Sequence, residues 1–347
     1  MRQLQKGVCL VLALLCALSL GGCKENQQPV KDTDADKGIV MGFSMATLLE
    51  DRWIRDRDIF LAKAKQEGVE VIVKNANKDS DLQYEQVLDM LEQGIDVLIL
   101  APNDSKKEVR CVEAAKQKGV PVISYDRLVE GANVDVYVSF DHNQVGVLMG
   151  EALLKRVPGG GYVVINGSPN DYNSTMIREG LASVLDPHIE NGELSVIAET
   201  WVDGWVRETA YSFAQETLRQ KGEDIEAIVC GNDSLAWGVI DALSEVQRTG
   251  EVAVVGMDAD LVACRRIVQG QQLMTVYKPI RDLVEATLEV AGKLVCKEPV
   301  EAERTINNGA YDVPFIAIGV HSVTKDNIEQ TVIADGFHLR EEIYRSE

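Results

Sequence analysis

The sequence predicts an α/β protein of two successive doubly wound domains. Three observations carry that expectation. At 347 residues the chain is longer than one hydrophobic core usually supports. Short β-branched runs alternate with helix-length amphipathic runs from residue 38 onward. Apolar strands flanked by helices in this rhythm indicate parallel sheets covered on both faces.

Taken in order, "GIVMGFSM" precedes a helical Asp51–Glu67, "VEVIVKNA" precedes Ser80–Gln93, and "DVLILAPND" precedes Lys106–Lys118. "VPVISYDR" and "VDVYVSFD" follow, the second leading into a helix over Asn143–Val157. The rhythm then repeats: "GYVVINGSP", "LSVIAETWVD", "IEAIVCGND" and "VAVVGMDAD" each lead into a helical run. Beyond residue 278 too few elements remain for a third domain, so they are expected to complete sheets already begun.

The N-terminus reads as an export segment. Arg2 and Lys6 precede the apolar run "GVCLVLALLCALSLGG", which is short for a membrane span and ends at Cys23. Leu20-Gly21-Gly22-Cys23 is similar to a bacterial lipobox, so residues 1–22 are expected to be a signal peptide and Cys23 a lipidated N-terminus. Residues 23–36, polar and Asp-rich, then form a tether. "DTDADKG" echoes an EF-hand loop but puts Lys37 where that loop needs glycine and Phe43 where it needs glutamate. Cys111, Cys230, Cys264 and Cys296 show no metal-ligand spacing, and the first two sit on apolar stretches as buried small hydrophobes. A net charge of −20 argues against a nucleic-acid partner.

In open α/β sheets ligands bind beyond the carboxyl ends of the strands. Here those ends are clusters of hydrogen-bonding and aromatic side chains, among them Asp126-Arg127, Trp201–Trp205, Gly231-Asn232-Asp233 and Tyr277-Lys278. Enzyme signatures are missing: no dinucleotide fingerprint follows the first strand, and there is no P-loop, no GxSxG elbow and no HExxH. "VPGGGYVVING" is glycine-rich but precedes a strand and reads as a turn. Asp126 and Asp258 would supply the carboxylate pair of a glycosidase, yet nothing sets one apart as an acid. No catalytic residue, cofactor or metal is therefore expected.

A sugar-binding site uses the same residues better. A pyranose has apolar faces for flat aromatics and a rim of hydroxyls for paired donors and acceptors. Trp53, with Arg52 beside it, and Trp205 would be the platforms. Asp126, Arg127, Asn173, Asn232, Asp258 and Lys278 would read the rim. Structural alternatives stand beside these roles. Asp51, Arg52, Arg55 and Arg57 suit a solvated helix start, Asp233 a helix cap, Asp203 a turn, Trp237 a core position, and Trp201 packing.

Several stretches together resemble one family. "DRWIRDRDIF", "SYDRL", "SFDHNQVG", "GSPNDYN", "TMIREG", "WVDGW", "GMDAD", "MTVYKPI", "INNGAYDVP" and "TVIADGFH" are similar, in order and spacing, to the periplasmic D-xylose-binding proteins of bacterial ABC transporters. The resemblance runs from about residue 37 to 338. It implies a type I periplasmic binding protein, with two Rossmann-like lobes joined by a three-segment hinge. On that likeness the N-terminal lobe is 37–142 with 279–315, and the C-terminal lobe 143–278 with 316–347. It also implies that Arg52, Trp53, Asp126, Arg127, Asn173, Trp205, Asn232, Asp258 and Lys278 occupy ligand-binding positions. Met257 stands where the family often has Gln, and Tyr172 where it has a second Asn. The implied ligand is a monosaccharide, D-xylose or a related pentose or hexose. The implied partner is an ABC permease or, alternatively, a sensor-kinase or chemoreceptor ectodomain, met at the membrane through the lipid on Cys23.

Overall fold

The structure, a computed structural model, describes residues 38–345. The expected signal peptide, tether and lipidated Cys23 lie outside the described residues. The first run of elements is β1 (Val40–Met45), α1 (Asp51–Gln66), β2 (Glu70–Asn75), α2 (Ser80–Glu92), β3 (Val97–Ala101), α3 (Val109–Gln117), β4 (Val122–Tyr125) and β5 (Val136–Phe140). The second begins with α4 (His142–Arg156), β6 (Gly160–Asn166), α5 (Tyr172–Glu190) and β7 (Leu194–Trp201). It continues with α6 (Arg207–Lys221), β8 (Ile225–Cys230), α7 (Asp233–Glu245), β9 (Ala253–Met257), α8 (Leu261–Gln269) and β10 (Met274–Tyr277). The closing elements are α9 (Ile280–Val295), β11 (Arg304–Asn307), β12 (Asp312–Ile318), β13 (His321–Val323) and α10 (Arg340–Ile343).

Two sheets result. The first has seven strands in the order β11-β12-β5-β4-β3-β1-β2, parallel except for β11 at one edge. The second has six, β13-β10-β9-β8-β6-β7, parallel except for β13. Strands β3, β4, β5, β9 and β10 are buried along their whole length, which accounts for their continuous apolar runs. The chain crosses between the sheets after β5, at Lys278-Pro279 and after β12. Because β12 pairs with β5 as far as Ile318 opposite Phe140, the third crossing falls at Gly319-Val320, not after residue 315 as the sequence suggests.

Helices cover both faces of each sheet. On the first sheet α1 and α9 bury Trp53, Phe60, Ala64, Leu283, Val284 and Leu288 in one core, while Val87, Met90, Cys111 and Val112 of α2 and α3 fill the other face. Helices α6 and α7 cover one face of the second sheet and α4 and α5 the other. The α4–α5 crossing is set by glycine: a Cβ on Gly180 would lie 1.9 Å from the Asn143 carbonyl oxygen, and one on Gly146 2.0 Å from that of Ile177. Helix α3 begins at Val109 and not at Lys106, because the Asp104 carboxylate accepts hydrogen bonds from the Lys106 and Lys107 amides, each at 3.0 Å, and holds a turn there.

Candidate functional site

The carboxyl ends of the two sheets face each other across a cleft of ≈ 390 Å³, its mouth included. All nine residues singled out from the sequence line it. Arg52 and Trp53 come from the first turn of α1, and Asp126 and Arg127 from the end of β4. Asn173 stands in the first turn of α5, Trp205 just beyond β7, and Asn232, Asp258 and Lys278 follow β8, β9 and β10. The structure adds Glu50, His142, Asp171 and Met257 to the lining.

On the first lobe a buried network holds the readers in place. Arg52 Nη2 donates to Asp126 Oδ2 at 2.9 Å, and Arg52 Nε to Asp56 Oδ2 at 3.2 Å. Tyr125 donates to Asp56 at 2.5 Å from behind. Arg52 is thus no solvated helix start: it is 6% exposed. Asp126 has φ +60, a strained conformation for a non-glycine residue. Three donors over-determine it by converging on its backbone oxygen: Tyr137 at 2.9 Å, Ser139 at 2.5 Å and Asn173 Nδ2 at 3.1 Å. Burial works to raise the Asp126 carboxyl, but Arg52 and Lys278 outweigh it and hold the group well below the usual carboxylate range. The guanidiniums of Arg52 and Arg127 lie 4.3 and 5.1 Å from the Trp53 ring centroid.

On the second lobe the "WVDGW" turn sets the other aromatic. A 3₁₀ turn over Asp203–Trp205 puts Gly204 at φ +62 and Trp205 at φ +57. Asp203 fastens this turn by accepting from Ser168 at 3.2 Å and Asn170 at 3.0 Å. The two left-handed residues fold the indole back over the ends of β6 and β8. A Cβ on Gly167 would lie 2.0 Å from Trp205 Cη2, and one on Gly231 3.0 Å from Cζ3. The indole N–H donates to Asp171 Oδ2 at 3.3 Å, and the other oxygen of Asp171 caps α5 through the Asn173 amide at 3.1 Å. Burial raises the Asp171 carboxyl against the pull of Arg127. Asn232 caps α7 with its oxygen at 3.0 Å from the Leu235 amide, which leaves its NH₂ for other work.

The lining is charge-balanced and polar. Arg52 pairs with Asp126, Arg127 with Asp171 at 2.8 Å, Lys278 with Asp258 at 2.9 Å, and Glu50 with Lys78 at 3.1 Å. The Arg127 and Lys278 pairs are close enough for charge attraction but are misaligned as hydrogen bonds, so Arg127 Nε and Asp258 Oδ1 keep free bonding capacity. Nine buried side-chain polar atoms lack a partner among the described residues, and four belong to this cleft: Glu50 Oε2, Arg127 Nε, His142 Nε2 and Asp258 Oδ1. Such groups cost roughly 1–3 kcal/mol each when left unmatched, so their concentration in one cavity marks a place built to be filled. Among the described residues no cluster of His, Cys, Asp or Glu is placed to hold a metal ion.

The structure corrects three sequence expectations about neighbouring residues. Trp237 is not core: it is 37% exposed on α7, with the Arg207 and Arg266 guanidiniums 4.6 and 5.6 Å from its ring. Trp201 at the end of edge strand β7 is 39% exposed, so whatever packing it makes is at the surface and not in the core. Asp233 is not the cap of α7; it is buried behind the cleft, accepting from Gln272 at 2.9 Å and Thr275 at 2.8 Å. Sequence reasoning missed Asp171, His142 and Glu50 as lining residues. Their positions beside Asn173, beyond β5 and before "DRW" were the available signal.

Comparison with known proteins follows the same lines. The family model described as the periplasmic binding protein domain matches residues 41–299. The chain belongs to the periplasmic binding protein family. The match takes in every residue lining the cleft of this binding protein, from Glu50 to Lys278. The D-xylose-binding periplasmic protein of Haemophilus influenzae is 41% identical over 89% of this chain and 93% of its own length. That of Escherichia coli is 40% identical over 88% and 93%. A solved carbohydrate transporter solute-binding protein from Chloroflexus aurantiacus, in complex with D-glucose, aligns with a TM-score of 0.83 at 30% identity, covering 88% of this chain and 98% of that one.

Proposed function

We propose that this chain is an extracytoplasmic solute-binding lipoprotein. It captures a monosaccharide, D-xylose foremost, between its two lobes and delivers it to an ABC permease. The observation that carries this reading is the cleft itself. Its cations and carboxylates are paired with one another, so it favours a neutral ligand. Its unmatched buried donors and acceptors suit a rim of hydroxyls, and its two indoles suit apolar sugar faces. The relatives named for D-xylose binding favour that pentose over others.

In this reading Trp53 and Trp205 flank the ring, while Asp126, Arg127, Asn173, Asn232, Asp258 and Lys278 bind hydroxyls and Arg52 orients Asp126. Binding is coupled to closure, because the first two strand-end sets sit on one lobe and the others on its neighbour. A sugar touching both stabilises the shut state through contacts that an open state lacks. Ligand affinity in the micromolar range, about −8 kcal/mol, fits such a site. The lipid on Cys23 would keep the protein beside its permease, a reading supported by the lipobox-like sequence before it.

Thermal-shift and calorimetric titration against a panel of pentoses and hexoses tests the ligand. D-Xylose is expected to bind and to raise the melting temperature most; a panel in which no pentose binds and another solute does contradicts it. For the anchor, Cys23→Ala should move the protein from the membrane fraction to the soluble one. An unchanged distribution would rule out lipidation at that residue.

A further inference from the structure

His142 opens α4 at the point where the chain leaves the first sheet, and it is 1% exposed. Its Nδ1 lies 3.4 Å from Ser139 Oγ, whose own proton is committed to the Asp126 carbonyl at 2.5 Å. The Ser139 oxygen can therefore only accept from the imidazole, which places the ring proton on Nδ1. Nε2 is left as a bare acceptor, buried and without a partner among the described residues. The charged groups acting on the ring are Lys278, Asp126, Arg52 and Asp258, all of them lining residues of the cleft. Burial and then Lys278 push the imidazole down to about 3, so it stays neutral at physiological pH.

We propose that Nε2 of His142 accepts a hydrogen bond from a hydroxyl of the bound pentose, which makes His142 a specificity-determining residue. This rests on the sugar-binding reading above and goes beyond it, since His142 is none of the nine residues to which ligand contacts were assigned. The other side-chain acceptors of the cleft are charged carboxylates facing cations and the amide oxygens of Asn173 and Asn232, which already accept from Tyr137 and the Leu235 amide. A neutral, uncommitted acceptor discriminates differently: it gains nothing from a ligand that lacks a hydroxyl at that position. Such a ligand leaves it buried and unmatched, a penalty of about tenfold in affinity.

The test is calorimetric titration of wild type, H142F and H142Q with D-xylose and each of its monodeoxy analogues. Phe keeps the volume without an acceptor, and Gln returns an oxygen near the position of Nε2. H142F is expected to bind D-xylose about tenfold more weakly and to be indifferent to the loss of one particular hydroxyl that wild type requires. H142Q should recover most of both properties. Equal affinity in H142F, or the wild-type penalty for every deoxy analogue, overturns the proposal. If wild type binds no pentose, the sugar reading itself falls and takes this one with it. Should H142F not fold, the ¹⁵N resonance of His142 Nε2 in wild type decides: it should move on addition of D-xylose, and an unmoved resonance overturns the proposal.

Discussion

Trp201 and Trp205 are four positions apart and do different work. Trp205 lies back over two glycines with its N–H tied to Asp171, whereas Trp201 stands half in solvent at the sheet edge. Trp205→Ala is accordingly expected to weaken sugar binding at least about tenfold, and Trp201→Ala to leave it within about twofold, both read by calorimetry. Equal losses would deny the distinction. His142 gives a prediction about acid stability. Burial holds its imidazole down to about 3 in the folded protein against the ordinary 6.5, so between those values the unfolded chain holds the extra proton. Stability from this group is therefore complete above pH 6.5 and is lost as pH falls toward 3. Relative to H142Q, wild type should lose up to about 1.4 kcal/mol per pH unit between pH 6.5 and 4, measured by urea unfolding. A difference that does not change with pH would contradict it.

At the scale of elements, much was legible because the strand-to-helix rhythm and the strand-end rule are local. Continuous apolar runs located the central strands, and the residues following β4, β8, β9 and β10 were bound to meet once the sheets were parallel. What was not legible depends on direction and distance. Nothing in "WVDGW" says that Trp205 takes a left-handed backbone and turns back, so nothing in the sequence marks Gly167 and Gly231 as the seat they make for its indole. Arg52 and Asp56 lie one helical turn apart, but the Tyr125 hydroxyl that supports Asp56 comes from far along the chain, which no spacing reveals. Helical glycines show the same limit. Gly180 in α5 and Gly292 in α9 look alike in sequence, yet a Cβ on Gly180 meets the Asn143 carbonyl and one on Gly292 meets nothing within 4 Å. Gly180→Ala should destabilise the protein by about 1–3 kcal/mol, and Gly292→Ala should be neutral or stabilise by up to about 1 kcal/mol. Equal effects in urea unfolding would refute the close-packed crossing.

At the scale of the molecule, the lobes are held shut by direct contacts across the cleft. The Tyr137 hydroxyl, its one proton shared with the Asp126 carbonyl, lies 3.0 Å from Asn173 Oδ1, the Ser105 amide donates to the Asn170 carbonyl at 3.0 Å, and Lys78 Nζ to the Gly204 carbonyl at 2.9 Å. Lys78 also pairs with Glu50 on its own lobe, so it bridges the cleft mouth to the turn that carries Trp205. Lys78→Met is expected to speed sugar release several-fold in stopped-flow tryptophan fluorescence, with a smaller change in the association rate; an unaltered release rate would exclude a latch there. The most direct measurement is a crystal structure of the protein grown with D-xylose. The sugar should lie between Trp53 and Trp205, with its hydroxyls within about 2.7–3.2 Å of Asp126, Arg127, Asn232, Asp258 and Lys278. A cleft holding only water, or a pentose seated elsewhere on the molecule, would contradict it.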